Sequence, residues 1–206
     1  MDFQFIFSLI ILLFSVVIHE VSHGYAALIQ GDKTAEYAGR LTLNPIKHID
    51  MVGTILLPVF SIMFGGFLFG WAKPVPYNPY NLRNQRWGEL YVAIAGPLAN
   101  IALALVFGLF IRFYVIPAGL LAGPIGTISS IIVLINVTLA LFNLMPVPPL
   151  DGSKIISALL PAGFMAIRQK IEQFGFIGVL IFVVLIWQFI YPLIPWLFSV
   201  ITGISF

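Results

Sequence analysis

The sequence predicts an all-α polytopic membrane protein of about four to six transmembrane helices, with a re-entrant or extended segment near its active site. Three observations predict it. The 206 residues are 60% hydrophobic and only 9% charged, with a mean hydropathy of +1.05. A soluble domain carries about 25% charged residues. Apolar runs long enough to cross a bilayer recur along the chain. Between two of them lies Trp71-Ala72-Lys73-Pro74-Val75-Pro76-Tyr77-Asn78-Pro79, whose near-alternate prolines forbid a helix and favour extended backbone.

The first apolar run, Phe3 to Ile29, reads as a spanning helix. Met1-Asp2-Phe3 lacks the basic region of a signal peptide, so this run is expected to stay in the mature protein. Residues 30–50 form a polar loop holding Lys33, Arg40 and Lys47. Within it, the alternation in residues 37–43 predicts a short strand, Asn44-Pro45 a turn, and Asp50 an N-cap. Residues 51–71 are apolar but interrupted by Pro58, Gly65, Gly66 and Gly70. Residues 90–114 predict a spanning helix opening with Ala95-Gly96-Pro97-Leu98-Ala99-Asn100, and residues 127–145 predict another. A proline-rich turn, Pro146-Val147-Pro148-Pro149-Leu150-Asp151-Gly152, leads into a short amphipathic stretch to about Glu172. Residues 174–204 close the chain as one or two helices, broken near Pro192 and Pro195.

The chemistry centres on His19-Glu20-Val21-Ser22-His23, inside the first apolar run. Residues four apart share a helix face, so His19 and His23 can offer two imidazoles to one metal ion. Glu20 sits where a carboxylate reaches a metal-activated water, the arrangement of H-E-x-x-H zinc hydrolases. Ionisable groups are costly in hydrocarbon unless partnered, and a divalent cation partners all three. At about 1.5 Å per residue, His19 lies roughly 24 Å from the Phe3 end, near the far face of the bilayer.

A catalytic zinc takes three protein ligands and keeps one position open. Only one further histidine, His48, and the seven acidic residues besides Glu20 remain to complete the set. Asp151 fits best, since it follows a spanning helix and precedes Gly152, which permits close backbone approach. Its other reading is an N-cap for the helix that follows. Asn143, eight positions earlier, could bond a substrate or another helix; Asn100 and Asn136 carry the same two readings, with a packing role favoured for both. His48 reads as a solvated or helix-entry residue, with contact to the site as its other reading.

Charge placement orders the loops. If residues 51–78 enter and leave by one face, every Lys and Arg except Arg112 falls on one side, which the positive-inside rule favours. That arrangement puts the N-terminus outside and His19, His23 and Asp151 toward the cytoplasmic face. Extended backbone at membrane depth must line a cavity or be buried in protein. Trp71, Lys73 and Val75 are therefore expected beside the site, as an edge that could pair with a substrate strand.

Together these residues resemble the site-2 protease family of intramembrane zinc metalloproteases. The resemblance rests on His19-Glu20-Val21-Ser22-His23, on Gly96-Pro97-Leu98-Ala99-Asn100, and on Asn143 to Asp151-Gly152, and it runs to about Leu160. It implies one Zn²⁺ per chain held by His19, His23 and Asp151, with Glu20 as general base and Asn143 toward the substrate. It also implies two motif-bearing helices that run the same way. The expected organisation is a single integral-membrane metalloprotease domain over residues 1–206, with a catalytic core at about 3–160 and a C-terminal helix or helix pair at about 174–204. It looks like a minimal form without PDZ or CBS domains.

The expected activity is hydrolysis of peptide bonds within or near transmembrane segments of membrane-protein substrates. The lipid bilayer is the other expected partner. Membrane di-iron hydroxylases need more than the three histidines present. An inactive scaffold would have no need of Glu20, and a metal transporter would want carboxylates along a path. The net charge of +2 comes from loop residues and gives no nucleic-acid footprint, and with no cysteine the site cannot use thiolate ligands.

Overall fold

The computed structural model describes residues 3–51, 53, 72–159 and 184–205. These form six α-helices: α1 (Phe3–Ile29), α2 (Thr34–Tyr37), α3 (Gly88–Phe110), α4 (Pro124–Asn143), α5 (Asp151–Leu159) and α6 (Leu193–Thr202). A π-helical turn, Ile111–Val115, prolongs α3, and helical residues 184–190 precede α6. Four stretches are long and apolar enough to cross a membrane: Gln4–Ile29, Gly88–Val115, Pro124–Asn143 and Val184–Thr202. The chain is an all-α, multi-pass membrane protein.

Side-chain contacts give the helix directions. Moving up α1, Ser15 and His23 meet Asn100 and Val92 of α3 in descending order, so α3 is antiparallel to α1. Ser15 meets Asn136 of α4, and His19 and His23 meet Asp151 beyond the end of α4, so α4 runs parallel to α1. The two motif-bearing helices therefore run the same way. It follows that the chain leaves α1 and enters α3 at one face. Loops 30–50 and 72–87 lie together there, joined by Arg83 N to Gln30 O at 2.7 Å and Lys73 N to His48 O at 2.9 Å. Most residues of 51–71 lie outside the described residues; the described residues that flank them, His48 and Lys73, are bonded to each other on that side. Arg112 is at the opposite end of the bundle, donating to the Val200 carbonyl at 2.9 Å.

The apolar core joins α3, α4 and α6 through Ala104, Ile111, Val133, Val137, Ile194 and Phe198. Lipid-facing side chains such as Val106 and Phe113 stay exposed, as a bilayer solvent requires. Pro124 opens α4 at its first turn, where a missing N–H costs nothing, so this helix starts before Thr127 and ends at Asn143.

Several local expectations are corrected. Residues 37–43 form no strand, and no strand occurs among the described residues. Ala38 N bonds Thr34 O and Arg40 N bonds Ala35 O, closing a helical turn that Gly39 reverses at φ +63°. Local bonds thus satisfy the backbone without a partner strand. Gly96 and Pro97 do not open α3 but lie in its middle. The C-terminal break falls at Tyr191-Pro192, and Pro195 sits in the first turn of α6. Asn44 caps the turn Pro45–His48 and Asp50 accepts from Gly53 N at 2.7 Å, as the sequence suggests.

Candidate metal centre

One turn of α1 separates His19 from His23 and aims both rings at Asp151, the first residue of α5. The two Nε2 atoms are 3.1 Å apart, and each is 3.1 Å from Asp151 Oδ2. All three residues are buried. The three atoms make an equilateral triangle that could hold a metal ion. A tetrahedral site with bonds of about 2.0–2.1 Å sets its ligand atoms about 3.3–3.4 Å apart, so this triangle fits one tetrahedral face.

The far ring nitrogens explain why Nε2 faces inward. His23 Nδ1 donates to the Val92 carbonyl at 2.7 Å, and His19 Nδ1 donates to Asn100 Oδ1 at 2.6 Å. An imidazole that carries its proton on Nδ1 leaves a lone pair on Nε2, the state a metal requires. Two glycines allow the close approach. A Cβ on Gly96 would stand 2.6 Å from His19 Nε2 and from His23 Cε1, so only a bare α3 backbone can back the two rings. A Cβ on Gly152 would strike the Leu144 and Met145 carbonyls, so glycine there lets α5 turn back against the end of α4. Asp151 is thereby carried to the depth of His19. Its carboxylate faces the imidazoles and caps no helix amide among the described residues.

Glu20 lies beside the triangle and reaches the extended run. Its Oε2 accepts from Val75 N at 2.8 Å. The run is held from behind: Lys73 N donates to His48 O, and Arg40 Nη2 donates to the Lys73 carbonyl at 2.6 Å and the Pro74 carbonyl at 3.3 Å. Asp32, fully buried, ties down its far end by accepting from Asn78 N at 2.8 Å and Asn81 Nδ2 at 2.9 Å. Burial alone would raise the Asp32 carboxyl. The hydrogen bonds from Thr34, Asn81 and Asn78 outweigh it and hold the group below the usual carboxylate range.

Residues 7–130 and 120–186 match the model of Peptidase family M50. The chain belongs to peptidase family M50. A Bacillus subtilis (strain 168) relative of this M50 chain, named "Putative zinc metalloprotease YwhC", is 42% identical over 84% of this chain and 77% of its own length. The Mycolicibacterium smegmatis relative "Putative zinc metalloprotease Rip2" is 29% identical over 94% of this chain and 73% of its own. "Zinc metalloprotease MJ0392" of Methanocaldococcus jannaschii is 30% identical over 74% of this chain and 34% of its own. No solved structure matches.

The other sequence candidates in this M50 chain are only partly brought to that centre. Asn143 Nδ2 donates to Leu139 O of its own helix at 2.9 Å, outside the triangle. Lys73 and Val75 border the site, but their amides are used on His48 and Glu20, and Pro74 and Pro76 have none. The run forms neither helix nor strand. Trp71 lies outside the described residues. His48 is buried rather than solvated, with Nε2 donating to Thr42 O at 2.9 Å, and it does not reach the triangle.

The interhelical bonds expected of Asn100 and Asn136 are present, to each other and to Ser15, but sequence reasoning missed the bond between Asn100 and His19. Both are fully buried, and Asn100 bonds His19 directly instead of serving only to pack helices. A usable signal existed: each is an amide inside an apolar spanning helix, where polar groups mark function by default. Asp32 gave no such signal, because a carboxylate in a polar loop is ordinarily solvated.

Proposed function

We propose that this chain is a site-2-type zinc endopeptidase that cuts membrane-protein substrates within or near their transmembrane segments. His19, His23 and Asp151 hold the zinc and Glu20 is the general base. The observation that carries this reading is the buried triangle of ligand atoms beside Glu20 in a bundle of membrane-spanning length. Two imidazoles and a carboxylate with one position open suit zinc best among divalent ions.

When bound, zinc supplies Lewis acidity, polarising a carbonyl and lowering the pKa of water toward about 7. The chain's own groups do the rest. The amide of Val75 fixes one oxygen of Glu20, leaving Oε1 to take the proton from the attacking water. Glu20 then returns that proton to the leaving amine nitrogen. A substrate helix must unwind locally, because its carbonyls are otherwise held in i to i−4 bonds. The run beside Glu20 is the edge along which such an unwound segment would lie, although its amides at Lys73, Val75 and Asn78 and its carbonyls at Lys73 and Pro74 are already bonded.

The catalytic core spans about residues 3–160 of a single domain over 1–206, with a C-terminal element at about 174–204, of which the part before residue 184 lies outside the described residues. The substrate is a transmembrane protein in the same bilayer. Positive-inside placement of Lys33, Arg40, Lys47, Lys73, Arg83, Arg86 and Lys154 orients the site toward the cytoplasm.

The test is zinc content together with cleavage of a transmembrane substrate, for wild type, Asp151→Ala and Glu20→Gln. The reading expects about one zinc per chain in wild type and in Glu20→Gln, cleavage only in wild type, and zinc lost in Asp151→Ala. Cleavage surviving in Glu20→Gln, or full zinc in Asp151→Ala, overturns the assignment of roles.

A further inference from the structure

We infer that Ser15, Asn136 and Asn100 form a positioning relay that sets the ring orientation and tautomer of His19, and through it the chain's affinity for zinc. The inference rests on the metal-centre reading and adds residues to it. The three lie on three helices and are all buried, at 3%, 0% and 0% exposure. Their bonds run in one direction. Asn136 Nδ2 donates to Ser15 Oγ at 2.9 Å, Asn100 Nδ2 donates to Asn136 Oδ1 at 2.8 Å, and His19 Nδ1 donates to Asn100 Oδ1 at 2.6 Å.

Each link fixes the next. An amide can be turned over, exchanging its acceptor for its donor. If Asn100 turned over, its NH₂ would face His19 Nδ1. The ring would then have to accept there and carry its proton on Nε2, which blocks metal binding. Asn136 prevents that turn, because its Oδ1 demands a donor from Asn100. Asn136 is held in turn by Ser15 Oγ and by a second bond to Ile132 O at 2.9 Å. The Asn100 amide also lies 3.4 Å from the Ser15 carbonyl. Asn136 and Ser15 thus stand off the metal triangle and control its first ligand through one intermediary. In a low-dielectric interior a half-satisfied network of this kind is costly, so the orientation is held firmly.

His23 has no such relay: its Nδ1 partner is a backbone carbonyl, which cannot turn over. The two ligands are therefore fixed by different means, and only His19 is open to control at a distance.

The experiment measures zinc affinity by chelator competition on the full chain in detergent, with the melting temperature of the zinc-free protein as a separate readout. Variants are Asn100→Leu, Asn136→Leu, the double variant, and Asn136→Asp, which keeps the acceptor for Asn100. Asn100→Leu is expected to weaken zinc about 10–100-fold, the usual effect of removing a partner of a ligating histidine. Asn136→Leu should weaken it by a smaller factor. The double variant should bind as Asn100→Leu does, since one path is being cut twice. Asn136→Asp should recover most of the affinity, whatever its melting temperature, and it also serves if Asn136→Leu does not fold. Losses that multiply in the double variant, or affinity unchanged in Asn136→Leu, or no recovery in Asn136→Asp, overturn the relay. A wild type that binds no zinc overturns the proposed function and the relay with it. A wild type that binds zinc with unresponsive variants overturns the relay alone.

Discussion

The backbone amide of Val75 lies 2.8 Å from Oε2 of Glu20, a residue 55 positions earlier in the chain. This bond ties the extended run to the carboxylate next to the histidine pair. Val75 stands between Pro74 and Pro76, where the backbone is already confined to extended conformations. Val75→Pro can therefore remove the amide with little change of path. The expected outcome is zinc content unchanged and kcat lowered about tenfold, the scale of one lost charge-assisted hydrogen bond. Metal analysis beside a cleavage assay checks it, and loss of zinc would show that the run supports the metal triangle itself.

Gly96→Ala tests how closely α3 backs the imidazoles. The added methyl would press on His19 Nε2 and His23 Cε1. Overpacking of this kind costs about 1–3 kcal/mol, so zinc should bind about tenfold more weakly or worse. Circular dichroism should show helix content retained while chelator competition shows the loss.

Asp32→Asn tests the loop clamp and its pH dependence. The Asp32 carboxyl is held below its ordinary range by hydrogen bonds that outweigh burial. A folded-state pKa below the unfolded one gives a contribution to stability that is complete above the unfolded value, near pH 3.9, and fades as pH falls through the folded value. Wild type should lose this contribution from about pH 4 downward. Asp32→Asn should lack that component and be destabilised at neutral pH by about 1–3 kcal/mol, because the donors on Thr34, Asn78 and Asn81 lose a charged acceptor. Thermal melts in detergent across pH read both effects.

The absence of cysteine allows a clean topology map. Single cysteines at Arg86 and Ala118, both exposed and at opposite ends of α3 and its continuation, should react with a membrane-impermeant thiol reagent from opposite sides. Positive-inside placement predicts the Arg86 side to be cytoplasmic. Labelling of both from one side would contradict the single crossing of α3.

What could be read in the sequence follows from the range of the interactions involved. His19, Glu20 and His23 are legible because helical periodicity alone puts four-apart residues on one face. Asp151 is legible as a candidate because Gly152 and the proline-rich turn announce a tight return of the chain. The extent of α1 is legible because a bilayer demands a continuous apolar run. The proposed strand at residues 37–43 failed because alternation is a weak signal over so few residues. There the chain satisfies its amides by local turn bonds.

By itself, then, the sequence determined the membrane class, the spanning helices and the half of the site that lies on one helix. The other half was decided by tertiary structure. Asn100 meets His19 across 81 residues and Asn136 across 36, and no local pattern encodes which of several lone amides will turn toward a histidine. Asp32 and Val75 gain their partners only when loops 30–50 and 72–87 close on one face of the bundle. The physical reason is that a periodicity reports which way a side chain points on its own helix. The identity of what it meets is fixed by how the helices pack.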